Sequence, residues 1–173
     1  MIDLGYVQRM ARYNRWQNEN VYGVADALSD AERRRNRGAF FGSIHATLNH
    51  IHATLNHLVW ADRIWMSRLA GTPRPDGGIP ESISLHGDWA DLKRERKDFD
   101  AVMIDWADRL DAASLAGELA YYSGAIKSEL RKPKWLLITH MFNHQTHHRG
   151  QVHCMLTQAG GKPGDTDLPF MPA

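Results

Sequence analysis

A chain of 173 residues carrying 21 Lys+Arg against 20 Asp+Glu has the length of one domain spanning 1–173, and its formal charge of +1 gives no general attraction for nucleic acid or anionic lipid. Hydrophobic content of 43% with 24% charged residues excludes a disordered chain, and one cysteine excludes an intramolecular disulfide framework, which makes a reducing, cytoplasmic setting the expectation. No apolar run reaches the ~18 residues of a membrane span, and the first residues lack the apolar stretch of a signal peptide. Ten histidines are the compositional departure.

Four long segments carry helical periodicity. The first covers residues 4–28, with Asp3 as its cap and Tyr6, Met10, Tyr13, Val24 and Leu28 on one stripe. The cluster Arg33, Arg34, Arg35 and Arg37 reads as a solvated helix end or loop. The second helix is expected over residues 43–70, with Ser43 as cap and Gly71 as stop. It contains one perfect internal repeat, IHATLNH at 44–50 and again at 51–57. Seven residues are nearly two turns, so two copies on one helix share a face with about 20° of drift.

Residues 71–87, with three prolines and four glycines, read as a loop crossing the end of the helices. The third helix is expected over 88–110 with Trp89, Leu92, Phe99, Met103 and Trp106 inward. Residues 117–131 alternate about Ser123-Gly124 and suggest a short hairpin or extended excursion. Pro133 suits the first turn of a last helix running to residue 158, and the tail after Gly160-Gly161 reads as draped coil. The pattern favours an all-α four-helix bundle.

His144 and His148 on the last helix fall within about 40° of each other, in the sector of Leu137, Met141 and Met155. They interrupt the core-facing stripe, and an i, i+4 pair of imidazoles can reach one ion at roughly 2.0–2.1 Å. The bland alternative is a hydrogen-bonded structural pair. The second helix offers His57 as a third ligand, in the sector of Ala53, Ala61 and Ile64. His50 shares nearly the same azimuth two turns earlier, and His57 is preferred to it.

The chain resembles the DinB-like (DinB/YfiT) family of damage-inducible proteins. The resemblance is carried by Tyr13-Asn14-Arg15-Trp16 with Asn20, by Gly38-Ala39-Phe40-Phe41-Gly42-Ser43-Ile44, and by Thr54-Leu55-Asn56-His57 followed by Asp62-Arg63-Ile64-Trp65. The most specific segment is Phe142-Asn143-His144-Gln145-Thr146-His147-His148-Arg149-Gly150-Gln151. It implies a four-helix bundle in which a second-helix histidine and two last-helix histidines bind a divalent metal; carried over, these are His57, His144 and His148. The family pattern has one TLNH segment where this chain has two, so His50 remains the alternative to His57.

Three imidazoles leave tetrahedral zinc an open fourth position, with nickel and iron as alternatives. Gln145 stands where a zincin would place its carboxylate, which argues against that peptidase class. The resemblance implies a metal-dependent enzyme on a small molecule, of hydrolase or thiol-dependent transferase type and using a low-molecular-weight thiol in the latter case. Catalytic residues are not assigned. The alternative is a stress-induced metal-binding or scaffold protein without turnover. Homodimerisation is expected; nucleic-acid and membrane partners are not.

Gln17 and Asn20 read as substrate-binding, imidazole-holding or plain polar core residues. Asp62 reads as a buried acceptor or interhelical salt-bridge partner, His147 as a rim or hydrogen-bonding residue, and Gln151 as one able to touch a ligand. Arg149 is expected to pair with an acid and Cys154 to be a buried thiol. His45 and His52 are expected to be incidental copies facing away from His57.

Overall fold

The computed structural model describes residues 2–38 and 50–172. α1 spans Leu4–Asp26, and Asp3 caps it as expected, its Oδ1 accepting the Tyr6 amide at 2.7 Å. Its buried stripe differs from the expected one. Val7, Ala11, Asn14, Asn18, Val21 and Ala25 are buried, and so is Tyr13 of the expected stripe, while Tyr6, Met10, Val24 and Leu28 are only partly covered. Small and amide side chains form the centre of that face and the large apolar ones flank it, so hydrophobicity alone misplaces the stripe.

A one-turn helix, α2 (Asp30–Arg33), occupies the arginine-rich connection, with Ser29 Oγ accepting the Glu32 amide. Arg33 is buried instead of solvated. Its guanidinium lies 4.7 Å from the Trp89 ring centre and donates to the Ala25 and Leu28 carbonyls at the end of α1. Arg34 and Arg35 remain exposed.

The second long helix, α3, spans Ile51–Leu69 and starts later than expected. His50 is extended (φ −140°, ψ 156°) and caps it, its Nδ1 accepting the Ala53 amide at 3.1 Å. The helix therefore begins at the junction of the two heptads. Ser43, His45 and the rest of residues 39–49 lie outside the described residues.

α4 (Trp89–Arg109) is capped by Asp88, and β1 (Glu118–Ser123) pairs antiparallel with β2 (Ser128–Pro133), which is the expected hairpin. α5 covers Lys134–Gln158. The tail is tied to α1: Tyr13 Oη donates to the Thr166 carbonyl at 2.6 Å and Gln17 Nε2 to that of Asp165 at 2.9 Å. No helix among the described residues is long and apolar enough to cross a membrane.

α1 packs on α4 and α5, and α3 packs on the same two helices. Two apolar clusters fill the interior. One takes Val7 and Ala11 of α1, Trp65 and Met66 of α3, Met103 and Trp106 of α4, and Leu137 to Phe142 of α5. The other takes Val21 to Ala25, Ile51 to Val59, Trp89 and Leu92, and Val152 to Leu156. The first cluster draws on the N-terminal halves of α1 and α5 but the C-terminal halves of α3 and α4. Hence α1 and α5 run one way, and α3 and α4 the other.

Between the clusters on every helix sit buried polar residues: Asn14 and Asn18, Asp62, Arg96 and Asp100, Gln145 and Arg149. Arg96 reaches Asp62 at 2.6 Å and Asp100 at 2.8 Å, and Asn14 and Asn18 donate to Asp100. Burial works against the charge on Arg96, but Asp100 and Asp62 outweigh it and hold the guanidinium's pKa above its ordinary value. These bonds tie α1, α3 and α4 to one another across the interior.

The parallel course of α3 and α4 has a consequence for the connection between them. The chain must return from the end of α3 to the start of α4, so residues 70–88 retrace the length of α3 instead of crossing the helix ends. A 3₁₀ turn at Glu81–Ser84 packs directly on α3. The strap is pinned by an i, i+4, i+8 ladder: His52 Nε2 and Asn56 Nδ2 bond the His86 carbonyl, and Trp60 Nε1 donates to that of Asp76. His52 is thus a buried anchor and not an incidental copy.

Candidate metal centre

α3 and α5 bring His57, His144 and His148 together at the level of the polar layer. One ligating nitrogen from each ring lies within 4.8 Å of the others. Ring centres are 4.4 Å apart for His144–His148, 4.9 Å for His57–His148 and 5.3 Å for His57–His144. His57 and His148 are buried, and His144 keeps part of its surface exposed. The helical spacing explains the pair on α5, and the opposed direction of α3 brings His57 to the same height.

His57, and not His50, is the histidine that joins the cluster. His50 is spent as the α3 cap. Its expected azimuth assumed a helix continuing through it, and the capping bond to Ala53 ends the helix there.

Burial, then the neighbouring His148 and His57, push the His144 pKa well below the ordinary histidine value. Its Nδ1 is buried with no hydrogen-bond partner. Neutral imidazoles clustered in an apolar interior are the donor set that a divalent cation accepts, and sharing an ion would satisfy groups otherwise costly to bury. The residues present therefore fit such an ion.

Two side chains bond Nδ1 of two of these rings. Ser82 Oγ is 2.7 Å from His57 Nδ1, and Gln151 Oε1 is 2.6 Å from His148 Nδ1. Sequence reasoning placed Gln151 in the right sector but missed Ser82 altogether. A serine in a proline- and glycine-rich stretch that also holds Ser84 carries no local signal. The available clue was topological: a strap that retraces α3 must put some residue against His57.

Asp62 is the interhelical acceptor, bonded to Arg96 and to Gln145 Nε2 at 2.9 Å. His147 is exposed at the rim, its ring 4.9 Å from that of His148 and its Nε2 3.4 Å from Gln151 Nε2. Gln17 binds the tail and not a ligand ring. Asn20 flanks Gly164 in the same tail.

Two expectations are corrected. Arg149 does not pair directly with an acid; it donates to Asn14 Oδ1 and stands over the Tyr13 ring, and burial pulls its pKa down to about 10. Helical phase turns it toward α1, where the polar partner is an amide. Cys154 is exposed, with Gln158 Nε2 3.6 Å from its sulfur, because it lies on the outer side of α5.

No curated protein matches this chain. The model of the DinB family matches residues 1–173, and with a match over its whole length the chain belongs to the DinB family.

Proposed function

We propose that this chain is a metal-dependent enzyme acting on a small molecule, by hydrolysis or by transfer involving a low-molecular-weight thiol. The supporting observation is the convergence of His57, His144 and His148 within 4.8 Å, with His144 partly exposed. Among the described residues no fourth carboxylate, thiol or imidazole completes the cluster, a donor count that suits an open catalytic site more than a closed structural one. Zinc is the first choice, with nickel and iron as alternatives.

When bound, the ion supplies Lewis acidity and lowers the pKa of a water or thiol at its remaining position. The chain's own residues do the rest. His57, His144 and His148 hold the ion, while His140 and His147, both exposed and each in ring contact with a ligand histidine, form the rim that a small molecule meets. Gln145 is turned inward to Asp62, so it takes no part as a base.

The proposal includes a four-helix bundle made of α1, α3, α4 and α5, supported by the closed ring of helix contacts. It also includes a homodimer, for which the hairpin's exposed Tyr122 and Ile126 offer apolar area, and a cytoplasmic setting, which the free Cys154 suits.

The test is turnover of a panel of small esters, amides and thiol acceptors by metal-stripped and zinc-reloaded protein. Turnover that returns only on reloading, and is absent from His57→Ala, supports the proposal. Turnover indifferent to stripping contradicts it.

A further inference from the structure

We infer that Ser82 and Gln151 are positioning residues that lock His57 and His148 in the Nδ1–H tautomer, so that both rings turn the lone pair of Nε2 toward the shared centre. The inference deepens the proposed metal site and rests on it for its consequence, though not for the tautomers themselves.

Proton counting sets the direction of both bonds. A serine hydroxyl has a single proton, and that of Ser82 goes to the Ile79 carbonyl at 2.6 Å, three residues back in the 3₁₀ turn. The Ser82 amide is separately satisfied by the Gly78 and Ile79 carbonyls. At 2.7 Å from His57 Nδ1, the Ser82 oxygen therefore only accepts, and the proton between them belongs to the ring. A neutral imidazole protonated at Nδ1 has its lone pair on Nε2.

His148 reaches the same state by a different route. Gln151 stands three residues on, and its Oε1, 2.6 Å from His148 Nδ1, is an acceptor without a proton. Its Nε2 points instead to His147 Nε2 at 3.4 Å, so the amide is oriented from both ends. His144 has no such support, since its Nδ1 is buried without a partner. Two of the three rings are thus pre-set and the third is left to adjust.

The strap makes this a property of the fold. Ser82 is fully buried, and its place against α3 is fixed by His52, Asn56 and Trp60, all from the second heptad copy or just beyond it. The Asn56 side chain closes a two-way bond, accepting the His86 amide at 2.7 Å and donating to the His86 carbonyl at 3.1 Å. α3 therefore both supplies the ligand His57 and anchors the segment that orients it. Groups that orient metal-binding imidazoles typically contribute about 10- to 100-fold in affinity.

Two measurements test this on the full-length protein. Long-range ¹H–¹⁵N spectra of metal-free, histidine-labelled wild type at mildly alkaline pH, assigned by single-histidine substitution, should show His57 and His148 protonated at Nδ1. A proton on Nε2 of either ring overturns the inference. Zinc affinity, measured by competition with a chromophoric chelator, should fall about 10- to 100-fold in Ser82→Ala and in Gln151→Met, and stay near wild type in Gln151→Glu, whose carboxylate also accepts. Unchanged affinity in both of the first two variants, with wild type binding one ion, overturns the inference while leaving the metal site standing. Wild type that takes up no zinc removes the proposed metal site, and the spectra then decide the tautomers alone. Should Ser82→Ala fail to fold by circular dichroism, Gln151→Met and the wild-type spectra still decide the matter.

Discussion

Gln145 donates to Asp62 at 2.9 Å across the α3–α5 seam, a buried bond on the same side of α5 as the apolar residues that face the interior. With Gln145 held inward, His144 and His148, one residue before and three residues after it, turn toward His57. Asp62 is also the partner of Arg96 on α4, so the phase of α5 is tied to the buried charges of the polar layer.

Replacing Gln145 by Leu removes the donor and leaves one oxygen of Asp62 buried without it. The expected loss is about 1–3 kcal/mol of stability, read from urea unfolding. Gln145→Glu, which places a second carboxylate against Asp62, should be at least as destabilising and should not convert the site to zincin-type proteolysis.

Arg96→Met strands Asp62 and Asp100 together in the interior. Breaking a buried pair from one side costs about 3–5 kcal/mol. Adding Asp100→Asn should recover part of that loss, because one of the two uncompensated carboxylates is then neutral. A denaturation series on the single and double variants checks both signs.

His50→Ala should cost roughly 1 kcal/mol through loss of the α3 cap, while metal content stays at the wild-type level. His50→Asn should restore most of the stability, because asparagine is a strong cap. Metal analysis and thermal unfolding of the same preparations separate the capping role from a ligand role. Loss of metal in His50→Ala would restore it as a ligand.

The buried His52 should make the fold acid-sensitive. Burial lowers its pKa, even though the bond to the His86 carbonyl works the other way. Its Nε2 proton serves that carbonyl, and its Nδ1 is buried with no partner to receive a second proton. As pH falls below about 6.5 the unfolded chain takes up the proton first, so stability present above that value is lost through the folded pKa. Denaturant midpoints of wild type should fall more steeply below pH ~6.5 than those of His52→Gln. Parallel slopes contradict this.

Much of this fold is written in local patterns. The Asp3 cap, the hairpin about Gly124, the bounds of α4 and α5, and the inward pair His144 and His148 all follow from capping chemistry and period. What escaped depends on tertiary context. The duplicated heptad looks continuous by period, yet a capping bond at His50 divides it, and no period encodes a cap formed by histidine. Asn14, Asn18, Arg96 and Asp100 lie on buried faces because they satisfy one another between α1 and α4, which no single helix reveals. Ser82 acquires its role only because α3 and α4 run parallel and the strap must pass His57.

The central claim is that His57, His144 and His148 jointly hold one divalent ion. Equilibrium dialysis of untagged protein against zinc, followed by elemental analysis, tests it directly on wild type and on His57→Ala, His144→Ala and His148→Ala. The account predicts one tightly held equivalent in wild type and its loss from each folded variant. Wild type that retains no zinc, or three variants that retain it as wild type does, would contradict the claim.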